Sequence, residues 1–279
     1  MNGIPILLKP RWHALRNGRR ARPGHSRWSR YLLLGGVGGL FWIGALTLSL
    51  RLLRHSAGIE DFGDILAHQL LAMVLLTAFA LLLFSAILTL LSKLYLSRDL
   101  LLVHALPVPP HEIFTARWLE GTLDSAWMVI VYTLPVFIAY GLVYRAAPGY
   151  YLLLAASLLA LVLTATAAAA LLVMAAVVAV PANRMRNLFI FLGVLFFVVL
   201  YLAVRLLKPE QLVDPETFAS VMTYLAALQT PASPLLPSTW AFDALRAGLD
   251  GAWREACFHT ALAFSAVTTA AFSLAVITS

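Results

Sequence analysis

Six stretches of the chain are almost continuously apolar: about 31–53, 66–91, 122–144, 150–180, 187–207 and 255–278. A helix needs roughly 20 apolar residues to cross a hydrocarbon core of about 30 Å, and each stretch reaches that length. The 150–180 stretch exceeds it, which predicts a tilted helix or one that continues beyond the membrane until Pro181 stops it. The pattern therefore predicts an all-α integral membrane fold: a six-helix transmembrane domain over 31–279, preceded by a basic segment over 1–30. Two of the polar connections are longer than a turn, about 92–121 between the second and third spans and about 208–254 between the fifth and sixth. Long loops are uncommon without a function, so these two are where function is sought.

Composition agrees with the pattern. Of 279 residues, 61% are hydrophobic and 12% charged, and the mean hydropathy is +0.86. Soluble domains carry about 25% charged residues, so this supply cannot cover a water-facing surface. Cys257 is the only cysteine, which excludes an intrachain disulfide and a cysteine metal cluster.

The net charge of +7 owes much to one block, Lys9, Arg11, Arg16, Arg19, Arg20, Arg22, Arg27 and Arg30. A basic block just before a first span holds that end in the cytoplasm, so no nucleic acid is needed to explain it. Apolar Ile4, Ile6, Leu7, Leu8, Trp12 and Leu15 interleave with these cations, as in a helix lying in the headgroup layer. With the N-terminus inside, 13 basic residues fall on the cytoplasmic side and 7 outside, the asymmetry that membrane insertion favours. Both termini are then expected in the cytoplasm, and the chain in the cell's inner membrane.

The inner loop reads SRDLLLVHALPVPPHEIFTAR from Ser97 to Arg117. Ser97 or Asp99 can cap a short helix that Pro107 ends, and Pro110 suits the first turn of the next. Two uses suit such a leucine-rich stub: a connector lying on the lipid surface, or a helix presented to a cytosolic partner. The outer loop is divided by Pro209, Pro215, Pro231, Pro234 and Pro237, with short helices expected at about 218–228 and 239–249. In the first span, Gly35 and Gly39 have the GxxxG spacing that allows close helix contact, expected within the subunit rather than at a dimer seam. Pro135 is expected to kink the third span.

Ionisable residues in mid-membrane would mark an ion path, and almost none are present. His68 and Arg205 lie near span ends, and His259 is isolated in the sixth. Arg117, Glu120 and Asp124 share one helix face at the start of the third span, an interfacial charge cluster. Neither HExxH nor GxSxG occurs, which counts against an intramembrane enzyme.

The segment SRDLLLVHALPVPPHEIFTARWLE resembles the loop after the second span of type-2 ABC transporter permeases, the exporter-type membrane subunits. The matching positions are Asp99, Leu100, Leu106, Pro107, Val108, Ile113, Phe114, Ala116 and Arg117. Pro109, Pro110 and His111 depart from the serine and basic residues common there. LLKPRWHALRNGRRAR is similar to the interfacial elbow helix of such permeases. The resemblance implies that the inner loop is a coupling helix seated on a cytosolic ATP-binding subunit, and that short outer helices separate the fifth and sixth spans.

It further implies an exporter-type permease subunit that couples a partner's ATP hydrolysis to translocation of a substrate. Such a chain is not itself an enzyme and has no cofactor of its own, with ATP and magnesium held by the partner. The absence of GxxxxGK[ST] from the sequence accords with that. Expected partners are the ATP-binding subunit, membrane lipid, and a second permease half, identical or different. The chain stops at Ser279 directly after a span, as would the N-terminal half of a longer permease. The alternative is a secondary transporter, or another polytopic membrane scaffold not driven by ATP.

Overall fold

The computed structural model describes residues 25–57, 63–97, 107–179 and 236–278, together with 190, 191, 193, 194, 198 and 233. Every element among them is helical. The α-helices are α1 (His25–Ala57), α2 (Gly63–Leu91), α3 (Pro110–Val143), α4 (Pro148–Ala179), α5 (Pro237–Leu249) and α6 (Trp253–Thr278), and a π-helical turn, Ser92–Leu96, extends α2. All of the α-helices except α5 are long and apolar enough to cross a membrane, which makes five candidate spans among the described residues. Of the span expected over 187–207 only 190, 191, 193, 194 and 198 are described, all helical, while the elbow over the N-terminal residues, the helix at 218–228 and most of the stub before Pro107 lie outside the described residues.

Prolines set several boundaries. Pro109 is extended and Pro110 opens α3, where its missing N–H costs nothing and its fixed φ suits a helix. Pro237 opens α5 in the same way, two residues before the start expected from sequence. The α5–α6 connection turns at Gly251, whose φ of +77° suits a residue without a side chain. α3 runs on through Pro135.

α4 is the central helix, packed against α2, α3, α5 and α6. α1 lies at the periphery, mostly exposed, and packs mainly on α3. Phe41 meets Tyr132 edge to face there, with ring centroids 5.0 Å apart. The glycine face of α1 is open: a Cβ built at Gly35 or Gly39 meets nothing within 4 Å. The close contact expected of these glycines is thus not made among the described residues.

Two apolar cores fill the bundle. The larger joins Leu71, Leu75, Phe137, Tyr150, Leu161 and Leu245 from four helices. The smaller lies where α2 ends and α3 begins, around Leu90, Leu91, Ala170, Val173 and Leu274. Small residues permit the close approach: a Cβ on Gly121 would stand 2.5 Å from Leu90 Cδ2, and one on Gly248 2.5 Å from Leu153 Cδ2. In hydrocarbon such packing replaces the hydrophobic drive that water supplies to soluble folds.

Candidate functional site

The bundle has two ends with different chemistry. At the end where α3 finishes, Tyr140 donates its hydroxyl to the carbonyl of Ala67 on α2 (2.7 Å) and Tyr150 donates to the carbonyl of Phe137 (3.3 Å). Tyr144, just past α3, reaches Asp64 Oδ1 at 3.4 Å. Burial, and then the neighbouring Asp64 carboxylate, push its phenol up to about 12, so it remains a protonated donor in any ordinary buffer. Also at this end, His259 Nδ1 of α6 stands 3.9 Å from Asp243 Oδ2 of α5. Burial raises the Asp243 carboxyl above the usual carboxylate range, against the opposing pull of His259 and Arg246.

The opposite end, where α3 begins, carries the residues that the sequence singled out. The π turn after α2 brings Lys93 across to α3, where it pairs closely with Asp124 and stands 3.9 Å from Glu120 Oε2. Arg117 Nη1 lies 3.5 Å from the same Glu120 oxygen. The expected face of Arg117, Glu120 and Asp124 is present, and Lys93 completes it as a set of two cations and two carboxylates. Lys93 was legible in the sequence only as one basic residue in a loop, because nothing there marks an i→i+5 turn. Behind this set the hydroxyls of Thr122 and Thr166 meet at 3.2 Å, and Ser85 donates to the carbonyl of Ser125 at 3.3 Å.

Of the expected docking residues, Asp99, Leu100 and Leu106 lie outside the described residues. Pro107 is exposed and Val108 partly so. Ile113 is buried, and Phe114 packs against the Leu90–Leu274 core. These two side chains therefore anchor the start of α3 to the bundle. Beside them is a mainly apolar cleft of about 330 Å³ between the start of α3 and the end of α6. Phe114 and Trp118 form one wall, Ala271, Leu274 and Ala275 the other, and exposed His111 belongs to the rim.

A family model described as "Putative ATP-binding cassette" matches residues 22–279. No curated protein and no solved structure matches the chain. The family match overturns the resemblance to type-2 permeases and the permease-subunit function drawn from it, and it gives no support to a secondary transporter or a scaffold not driven by ATP. That resemblance was read from two short segments, 97–120 and 7–22, and from the layout of the spans, whereas the match takes in every described helix.

Two further expectations are corrected with it: that the chain is not an enzyme, and that ATP and magnesium belong only to a partner. Both leaned on the absence of GxxxxGK[ST], which excludes one way of cradling phosphates and not an ATP-binding role as such. The described residues do not themselves fit the nucleotide. They form helices only, and no group of three or more His, Cys, Asp or Glu among them could hold a metal ion. Lys93 and Arg117 are already engaged by carboxylates. No chemical step through ATP follows from these side chains. Matched from residue 22 to residue 279, the chain belongs to this ATP-binding-cassette family.

Proposed function

We propose that the chain is a membrane-embedded member of an ATP-binding-cassette transport assembly, crossing the bilayer through its long helices and working with partner subunits. The observation that carries this is a coincidence on one chain: the family match over 22–279 encloses five helices long and apolar enough to span a membrane. The excess of basic residues on one side, 13 against 7, supports a cytoplasmic position for the end where α3 begins. A partner subunit then meets the connection from Asp99 to Arg117. Pro107 and Val108 stand at its surface, and Ile113, Phe114 and Arg117 tie it to the bundle. A second copy or a related half completes the assembly.

The test is affinity purification of the tagged chain from its native membranes in mild detergent. The expected preparation contains at least one partner subunit and hydrolyses ATP with vanadate sensitivity. Replacing 100–114 by a glycine–serine linker removes the partner. A chain that purifies alone, binds no nucleotide and drives ion-coupled transport in liposomes overturns the proposal.

A further inference from the structure

We propose that the cleft between the start of α3 and the end of α6 is a phospholipid site, holding one acyl chain drawn from the bilayer leaflet on that side. Its volume, about 330 Å³, falls in the range of small-molecule sites, roughly 300–1,000 Å³. Its shape follows from the sequence. Two aromatic side chains one helical turn apart, Phe114 and Trp118, face Ala271 and Ala275, also one turn apart, and the bulk missing from the alanines is the cleft. A slot with bulky walls on one side and methyl groups on the other suits a flexible hydrocarbon chain.

Polar chemistry is sparse in the slot. Thr115 donates its hydroxyl to the carbonyl of His111 at 2.7 Å, so the hydroxyl on the α3 wall is already used. Lys93 and Arg117 nearby are paired with carboxylates, which leaves no cation of the pair to select an anionic headgroup. The ligand is therefore chosen by its chain.

Position points to the bilayer as the source. α6 is a candidate span that ends at Ile277, two residues past Ala275, and α3 is a candidate span that starts at Pro110. The cleft thus sits where two spans emerge, the depth at which tryptophans line a membrane's edge. The indole N–H of Trp118 is buried within the protein, without an acceptor among the described residues, so Trp118 presents its ring and not its N–H to the cleft.

The experiment uses the full chain in nanodiscs containing a phosphatidylcholine with a diazirine on its acyl chain. Photolysis is followed by peptide mapping, with the exposed α1 segment around Leu40 and Ile43 as the reference for ordinary lipid contact. The expected result is at least fivefold more label on 111–118 and 271–275 than on α1, reduced to the α1 level by Ala271→Leu. A 50-fold excess of unlabelled lipid added for a short time displaces the α1 label first. Should Ala271→Leu fail to fold, Ala275→Leu, at an exposed position, blocks the same wall from the rim. Labelling of the cleft equal to that of α1, or unchanged by a folded blocking variant, overturns the site.

Because the site rests on the proposal that α3 and α6 cross a bilayer, alkaline carbonate extraction is run in parallel. Release of the chain by carbonate sinks the membrane proposal, whereas a retained chain with unselective labelling sinks the cleft alone.

Discussion

The Tyr140 hydroxyl on α3 donates to the Ala67 carbonyl on α2 over 2.7 Å, and both residues are fully or almost fully buried. The bond joins the end of one candidate span to the beginning of another. Tyr140→Phe keeps the ring and removes the donor. A loss of about 0.5–1.5 kcal/mol is expected, read as a lower thermal midpoint in detergent without loss of helical circular dichroism.

Gly121 sits under Leu90, and a Cβ there would stand 2.5 Å from Leu90 Cδ2, the far end of a flexible side chain. Gly121→Ala is expected to be mild, because that methyl group can swing aside. Gly121→Val pushes α2 and α3 apart and costs about 1–3 kcal/mol by overpacking. Combining it with Leu90→Ala recovers part of the loss, and thermal unfolding of the four proteins gives the coupling.

Lys93 is held by Asp124 and lies within 3.9 Å of Glu120. Lys93→Met removes a partly buried partner of both carboxylates. Its cost should lie between that of an exposed pair and that of a buried one, about 1–2 kcal/mol. Exchanging the charges, Lys93→Asp with Asp124→Lys, restores part of the stability. Failure of the exchange to do better than Lys93→Met would count against a direct pairing.

Asp243 gives a pH dependence with a definite sign. Burial raises its carboxyl in the folded chain, so folding favours the protonated form. Its contribution is therefore most favourable at low pH and is lost as pH rises from the ordinary carboxylate range through the raised folded value. Asp243→Asn should flatten that slope in urea or thermal titrations between pH 4 and 7, and an unchanged slope would refute it.

Gly39 faces open space, with nothing within 4 Å of a built Cβ. Gly39→Leu is expected to leave the thermal midpoint of the isolated chain unchanged or higher, since glycine costs a helix up to about 1 kcal/mol relative to alanine. A fall in the size of the detergent-extracted assembly with no change in that midpoint identifies this face as a contact between chains.

The long helices were legible in the sequence because the bilayer imposes their length, and a run such as Leu70–Leu91 has no other economical fate. Pro110 as a starting point was legible because the ring fixes φ, whereas the start of α5 at Pro237 was expected two residues later, at 239. The partners of single side chains were not: Tyr140 could have faced lipid, and its acceptor, the Ala67 carbonyl, is a backbone atom without a sequence signature. Lys93 was hidden by the π turn, which displaces a residue around the helix with no compositional mark. The Arg117, Glu120 and Asp124 face was legible, since spacings of three and four on one helix leave little freedom. The permease resemblance, read from the segments 97–120 and 7–22 and from the order of the spans, gave way to a family match across 22–279.

α3 is one unbroken helix of 34 residues, and at 1.5 Å per residue it is about 51 Å long, well beyond a hydrocarbon core of about 30 Å. A span of that length is accommodated by tilt or by a stretch that continues past the core. Near its start α3 is held to α2 by the tight crossing of Gly121 on Leu90, and near its end by the Tyr140 hydroxyl on the Ala67 carbonyl. The two helices are thus clasped at both ends, and a load placed on one is borne by the other.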